Sequence, residues 1–231
     1  FKPIFATMKI AVTAATANEW MPAFTKFDKQ KKEKKERVKV SFHKTGAGML
    51  ATAASLMKLI FEEKPDLIIQ AGIAGCFDKE INLTKVVTVK EEILGDLGAE
   101  ENGHWVDIFD LKLEEPDSVP YKNKRLLNPH LQKFNLLNLD EVTAITINEI
   151  TTKEQRIQQM KKKYNPFLES MEGAALHYVC SIMNIPFLQL RAMSNYIGER
   201  NKEKWMMKEA INCLNETLLR YIETLESVYN K

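Results

Sequence analysis

The sequence contains few of the residues that mark unusual protein classes. Of 231 residues only nine are glycine, eight are proline and three are cysteine, which excludes collagen-like, low-complexity and disulfide-scaffold proteins. The cysteines (Cys76, Cys180 and Cys213) have neither a CxxC spacing nor a histidine at metal-ligand spacing. We therefore expect reduced thiols in a cytoplasmic protein and no metal site.

The sequence also lacks a long apolar run and an excess of charge of one sign. No apolar stretch approaches the roughly 20 residues that a membrane-spanning helix needs, and 33 Lys and Arg face 31 Asp and Glu. Nucleic-acid-binding proteins usually have a basic face, whereas acidic residues interrupt the one basic run here, residues 28–37. The sequence therefore predicts neither a membrane nor a nucleic acid as partner.

The first seven residues, FKPIFAT, are too few for the apolar segment and cleavage site of a signal peptide. We expect Met8 to be the natural start and residues 1–7 to be an added or disordered leader. Residues 8–231 are expected to form one domain, because a chain of this length can bury roughly 70% of its surface in a single core.

Short apolar segments alternate with helical patterns along the chain. Strands are predicted at residues 9–14, 38–44, 67–71, 86–94, 142–147 and 186–191. Helices are predicted from the segment 45–48 to about 63, at 152–163 and 171–183, and along the C-terminal segment. Residues 95–140 are predicted to be irregular with local helices. The mixture, without a linker or a repeat, predicts an α/β fold with helices on both faces of a sheet.

Ligand sites in open α/β sheets form beyond the carboxyl ends of the strands. Here ATANEW (residues 15–20) follows the first strand, GIAG (72–75) the third and MSNYIG (193–198) the last, while MEGAA (171–175) begins a helix. This set resembles the nucleoside phosphorylase and nucleosidase superfamily in motifs, order and spacing, over nearly the whole chain from Met8. The resemblance implies a single-domain three-layer αβα sandwich on a central mixed sheet.

The resemblance also implies an activity: cleavage of the N-glycosidic bond of a purine nucleoside, with no cofactor, by a homodimer or larger homo-oligomer. It assigns the ribose to Met171 and Glu172, because a carboxylate can accept hydrogen bonds from two neighbouring hydroxyls. The base is assigned to Ser194, Asn195 and Ile150, and Gly72, Ile73 and Ala74 are predicted to form a turn close to the ligand.

The choice between water and phosphate as the attacking group depends on the first and third strand ends. Phosphorylases of the superfamily carry arginine and serine there, whereas this chain has Gln70, Ile73 and the acidic Glu19. A carboxylate repels phosphate but can act as general base for water. The sequence therefore predicts a nucleosidase with Glu19 as the catalytic base. A phosphate-dependent phosphorylase and a non-catalytic nucleoside-binding protein are the alternatives.

The leaving base is indicated by Asn195. Relatives that hydrolyse adenine nucleosides have aspartate after the serine, whereas an amide can donate to N7 or O6 and matches a 6-oxopurine. Asn195 is therefore predicted to take part in catalysis by binding hypoxanthine.

Three stretches, residues 92–100, 169–175 and 188–200, resemble the futalosine hydrolases, which release hypoxanthine from futalosine in menaquinone biosynthesis. The resemblance leads us to expect Arg200, Lys202 or Lys204 to meet the carboxylate at the far end of the substrate, with Trp205 at the same end. Nucleosidases acting on aminofutalosine or methylthioadenosine remain alternatives.

Overall fold

Strands and helices alternate along residues 7–30 and 37–229, the parts of the chain that the computed structural model describes. The strands are β1 (Met8–Ala14), β2 (Val38–Lys44), β3 (Leu67–Cys76), β4 (Val86–Leu94), β5 (Gly98–Glu101), β6 (His104–Asp107), β7 (Leu126–Leu127), β8 (Glu141–Thr146), β9 (Leu168–Ser170) and β10 (Phe187–Tyr196). The helices are α1 (Met21–Gln30), α2 (Met49–Glu63), α3 (Leu131–Phe134), α4 (Glu154–Tyr164), α5 (Gly173–Ile182) and α6 (Met207–Tyr229). The predicted leader, apart from Thr7, and residues 31–36 of the basic run lie outside the described residues.

The central sheet is mixed, as the resemblance implied. Its strands follow the order β10, β4, β8, β9, β3, β1 and β2, with β7 paired to β4. β3 runs parallel to β1 and β10 but antiparallel to β9. Because β10 pairs with β3 as well as with β4, strands β3, β9, β8, β4 and β10 form a closed ring. The carboxyl ends of β3 and β10 therefore lie side by side.

Helices cover both faces of the sheet, which confirms the predicted three-layer arrangement. Successive side chains of a strand point to opposite faces, and β1 shows this directly: Ile10 and Val12 belong to one buried cluster and Ala11 to another. The first cluster includes residues of α1 and α6, and the second includes residues of α2 and α5. Among the described residues, no helix is both long and apolar enough to cross a membrane.

Two strands run further than the sequence predicted. β3 continues through Gly72, Ile73 and Ala74 to Cys76, and β10 continues to Tyr196, because the two strands pair along this whole length. The prediction of a turn at these three residues is therefore wrong. Glycine-rich sequence favours a turn, but backbone pairing with a neighbouring strand keeps the segment extended here.

Residues 95–140 contain more regular structure than predicted. β5 and β6 form an antiparallel hairpin that lies against α4. Trp105 of the hairpin donates from Nε1 to the Tyr164 hydroxyl at 3.0 Å, and the Arg156 guanidinium lies 3.8 Å from the centre of the Trp105 ring. Helices α4 and α5 each begin two residues later than predicted, at Glu154 and Gly173.

Candidate active site

A cavity of about 430 Å³ opens where the carboxyl ends of β1, β3 and β10 meet the start of α5. Its walls come from segments that are far apart in the sequence but adjacent in the sheet. Of the residues predicted for the site, the cavity is lined by Glu19, Ile73, Ala74, Ile150, Met171, Glu172, Ser194, Asn195, Arg200 and Trp205.

Glu19 lies in a short 3-10 helix, Ala17–Glu19, directly after β1. The side chain is 7% exposed, and three donors hold its carboxylate. Oε2 accepts from the backbone N of Thr16 at 2.9 Å and from its hydroxyl at 3.0 Å, while Oε1 accepts from the backbone N of Ile73 at 3.2 Å. The carboxylate is thus fixed at the cavity wall, and its remaining lone pairs can accept a proton from water.

Glu172 stands at the N-cap of α5, beside Met171. Its Oε1 accepts from the backbone N of Gly48 at 3.0 Å, and its Oε2 lies 3.5 Å from Nη1 of Arg191. The N-terminus of a helix favours a negative charge, and the guanidinium of Arg191 lies beside the same side chain. Each oxygen has lone pairs left that could accept from a hydroxyl in the cavity.

Arg191 is a buried residue behind the candidate site that the sequence analysis missed. It is 2% exposed, and besides Glu172 its guanidinium contacts Gln70, with Nη2 to Oε1 at 2.7 Å. Nη1 also donates to the carbonyl of Ile73 at 3.2 Å. The sequence signal that could have identified it is a single arginine in the predicted apolar strand PFLQLR. A buried guanidinium must find acceptors, so an arginine in such a strand indicates polar partners nearby.

Gly72 makes room for that arginine. A Cβ atom at this position would collide with Nη1 of Arg191 and would lie 3.2 Å from Oε1 of Glu19. Glu19 and Arg191 therefore approach the same point of β3 from two sides. The sequence assigned Gly72 to the ligand, whereas the structure shows it accommodating two site side chains.

Ser194 and Asn195 lie near the end of β10, where a bulge between Met193 and Asn195 interrupts the pairing with β3. The Ser194 hydroxyl donates to Oδ1 of Asn195 at 2.9 Å, and Nδ2 of Asn195 donates to the carbonyl of Tyr196 at 3.1 Å. This fixes the amide so that the second hydrogen on Nδ2 remains available to a ligand.

The outer part of the cavity is formed by less buried residues. Ile150 is 43% exposed, and the Arg200 guanidinium carbon lies 5.5 Å from the centre of the Trp205 ring. Trp205 is held by a 3.0 Å hydrogen bond from Nε1 to the carbonyl of Glu199. Arg200 and Trp205 thus form a cationic and aromatic rim.

A third carboxyl, Glu92 of β4, lies beneath the start of α5. It is completely buried and accepts from Gln189 Nε2 at 2.9 Å and from the Thr146 hydroxyl at 2.8 Å. Desolvation nevertheless raises its pKa to about 7. A Cβ at position 173 would collide with its Oε1, so glycine is required where α5 begins, next to Glu172.

Residues 13–223 match the model of a protein family described as the phosphorylase superfamily. The chain belongs to this superfamily. The match runs from the end of β1 into α6 and includes every segment that lines the cavity.

Two relatives of this chain carry different enzyme names. A futalosine hydrolase from Thermus thermophilus is 28% identical over 180 residues, which cover 77% of this chain and 79% of the relative. A 5′-methylthioadenosine/S-adenosylhomocysteine nucleosidase from Maridesulfovibrio salexigens is 26% identical over 233 residues, covering 91% of this chain and 97% of the relative. Both names are those of hydrolytic enzymes, and this superfamily member is a nucleosidase, an N-glycosyl hydrolase.

Solved structures confirm the superfamily fold. The native structure of futalosine hydrolase from Helicobacter pylori matches with a TM-score of 0.75 at 14% identity, covering 94% of this chain and 98% of that one. A 5′-methylthioadenosine/S-adenosylhomocysteine nucleosidase from the same organism matches with a TM-score of 0.76 at 14% identity, covering 94% and 99%. The nearly equal scores do not separate the two enzymes, so the fold does not identify the substrate.

Proposed function

We propose that this protein hydrolyses the N-glycosidic bond of futalosine, giving hypoxanthine and dehypoxanthine futalosine in menaquinone biosynthesis. The choice of substrate depends on the Asn195 amide at the end of β10. Its Oδ1 accepts a 2.9 Å hydrogen bond from the Ser194 hydroxyl. An amide that presents N–H to the cavity matches the acceptors of a 6-oxopurine.

The proposed reaction begins with a water molecule between Glu19 and the anomeric carbon. Glu19 removes a proton as the water oxygen bonds to that carbon, and the bond from carbon to the base nitrogen breaks. Glu172 accepts from the ribose hydroxyls and, as an anion, stabilises the positive charge that develops on the sugar. Met171 supports the ribose by packing.

The proposed base site lies between Ser194 and Asn195 on one side and Ile150 on the other. Nδ2 of Asn195 donates to N7 or O6, and Ile150 packs against the purine ring. Ile73 and Ala74 form part of the wall beside the ribose.

Water rather than phosphate is favoured by the charges around the cavity. Arg191 already contacts Glu172, Gln70 and the Ile73 carbonyl, so its guanidinium is engaged by protein acceptors. Glu19 adds a second acidic group at the wall. A phosphate dianion entering here would meet two carboxylates for one buried cation, and their repulsion opposes its binding.

The rim is suited to the far end of futalosine. Arg200 can pair with a carboxylate and Trp205 can contact an aromatic ring. We further propose that the protein acts as a homodimer or larger homo-oligomer, which light scattering coupled to size exclusion would test.

The experiment is to incubate the protein with futalosine, aminofutalosine, inosine and methylthioadenosine, each with and without phosphate, and to identify the released base by chromatography. We expect hypoxanthine from futalosine at a rate that phosphate does not change. The Glu19→Gln variant serves as the inactive control.

Two results would overturn the assignment in different ways. Adenine release from methylthioadenosine or aminofutalosine that is faster than hypoxanthine release from futalosine would support an adenine nucleosidase. The relatives named 5′-methylthioadenosine/S-adenosylhomocysteine nucleosidase suggest this alternative. A strict requirement for phosphate would instead identify a phosphorylase.

A further inference from the structure

Glu169 of β9 is a buried carboxyl in the cavity wall to which the sequence analysis assigned no role. It is 5% exposed and lines the cavity. Its Oε1 accepts from the backbone N of Thr151 at 3.3 Å, but its buried Oε2 has no hydrogen-bond partner within the described parts of the chain. An unpartnered buried polar atom is unfavourable unless a ligand completes it.

The strand register places Glu169 opposite Asn195. Gly75 of β3 pairs with Glu169 on one side and with Asn195 on the other. Residues paired across strands point to the same face, and adjacent strands lie about 4.8 Å apart. The Cα atoms of Glu169 and Asn195 are therefore roughly 10 Å apart.

Gly75 leaves the space between them without a side chain of its own. A Cβ there would collide with Cδ1 of Ile197 and would lie 3.4 Å from Nδ2 of Asn195. The amide of Asn195 is thus on the face where the Gly75 side chain would be. The carboxyl and the amide both line the same cavity.

Burial and one neighbouring carboxyl shift the pKa of Glu169 upwards. Desolvation raises the pKa of the carboxyl, and the nearby Asp96 raises it further. Arg156 and the hydrogen bonds from Thr151 oppose the rise without cancelling it. Glu19 and Glu172 line the same cavity. A neutral carboxyl is a proton donor, and an unpartnered Oε2 is the atom from which it can donate.

We propose that Glu169 is the general acid of the reaction, donating a proton from Oε2 to N7 of the departing purine while Asn195 donates to O6 on the same edge of the base. This inference rests on the proposed nucleosidase reaction. As the bond between the anomeric carbon and N9 breaks, its electron pair passes to the base, N7 takes the proton of Glu169, and Glu19 takes a proton from the attacking water. Glu169 ends as a carboxylate and Glu19 as a neutral acid, and exchange with solvent restores both.

The division of roles follows from what each side chain can do. An amide can donate a hydrogen bond but cannot give up a proton at neutral pH, so Asn195 cannot neutralise the leaving base. A positioned general acid contributes about 10²- to 10⁴-fold to such a step. Glu169 supplies this acid at N7, next to the O6 atom that Asn195 binds.

The test compares Glu169→Gln with the wild type on two substrates. Glutamine has the shape of the neutral carboxyl but cannot transfer a proton. With futalosine we expect kcat to fall by about 100-fold or more, with KM changed only a few fold. With 4-nitrophenyl riboside, whose leaving group departs without protonation, Glu169→Gln should retain its rate, whereas Glu19→Gln should lose activity on both substrates. Glu92→Gln is the matched control, because Glu92 is also buried with a raised pKa but does not line the cavity.

A measurement on the unmodified protein makes the test independent of how the variant folds. The pH profile of kcat for hypoxanthine release should fall on the alkaline side, as Glu169 loses its proton, and should stay flat there for 4-nitrophenyl riboside. The fall must persist in Glu92→Gln. Two results would reject Glu169 as the general acid: a Glu169→Gln variant that retains kcat on futalosine, or identical pH profiles for the two substrates. Neither result would contradict the proposed hydrolase activity. A wild-type protein that hydrolyses no nucleoside would reject the proposed function itself.

Discussion

The side chain of Asn215 in α6 donates a 2.8 Å hydrogen bond from Nδ2 to the backbone carbonyl of Glu19. The same amide accepts from the backbone N of Ala23 at 2.8 Å and donates to the carbonyl of Ile211 at 2.7 Å. The C-terminal helix thereby fixes the short segment between β1 and α1 that places the Glu19 carboxylate. The two residues are 196 positions apart in the sequence.

Replacing Asn215 by alanine should therefore lower both stability and activity. The change leaves the buried Ala23 N–H and the Glu19 carbonyl without this partner, and each unsatisfied group costs about 1–3 kcal/mol. We expect a lower urea midpoint and a lower kcat with little change in KM. Asn212→Ala, at an exposed position of the same helix, should change neither, and equal effects of the two variants would contradict the positioning role.

The Glu19→Gln variant tests the proposed general base directly. Glutamine cannot take a proton from water, so kcat for hydrolysis should fall by about 10²- to 10⁴-fold while substrate affinity is kept. Initial rates and isothermal titration would measure the two quantities. The exposed Glu62→Gln should behave as the wild type, and a Glu19→Gln variant with more than about a tenth of normal kcat would exclude Glu19 as the base.

The Asn195→Asp variant tests the choice of base. A carboxylate in place of the amide removes the donor for a 6-oxopurine and can accept from a 6-amino group. Because sites that leave a buried polar group unpaired discriminate by up to about 10⁴-fold, the ratio of futalosine to aminofutalosine turnover should fall by at least about 100-fold. An unchanged ratio, as expected for the exposed Asn102→Asp, would show that Asn195 does not contact the base.

The buried carboxyl of Glu92 makes stability depend on pH. Its pKa rises from the ordinary 4.5 to about 7 on folding, so the folded chain binds more protons than the unfolded chain between these values. The free energy of unfolding therefore falls as pH rises through this window. Desolvation is the main cause; Glu172 adds to it, and Arg191 opposes it.

Glu92→Gln mimics the neutral form and should remove this part of the pH dependence. Relative to the wild type, the variant should be of similar stability at pH 5 and more stable at pH 8, by an amount of the order of 3 kcal/mol. Urea denaturation at both pH values measures the difference. The exposed Glu101→Gln is the control, and a stability difference that does not grow with pH would show that Glu92 is already ionised below pH 7.

The secondary structure was predictable wherever a hydrophobic period was clear. The strand alternation at Val38–Lys44 and the stripe of α6 gave the correct elements because each is a local property of the sequence. The extension of β3 through Gly72 and Ala74 was not predictable, because glycine in a single sequence favours a turn. Only the pairing with β10 holds that segment extended.

The sequence by itself determined the α/β class, the superfamily motifs and the identities of Glu19, Glu172 and Asn195 as candidates, because these depend on residue type and local spacing. The tertiary structure decided what surrounds them. Arg191 contacts Glu172, and Glu169 comes to lie opposite Asn195, only because strands distant in the chain pair side by side. The ion pair of Arg191 and the unpartnered oxygen of Glu169 both depend on burial. Burial is a property of the packed chain that no local sequence pattern specifies.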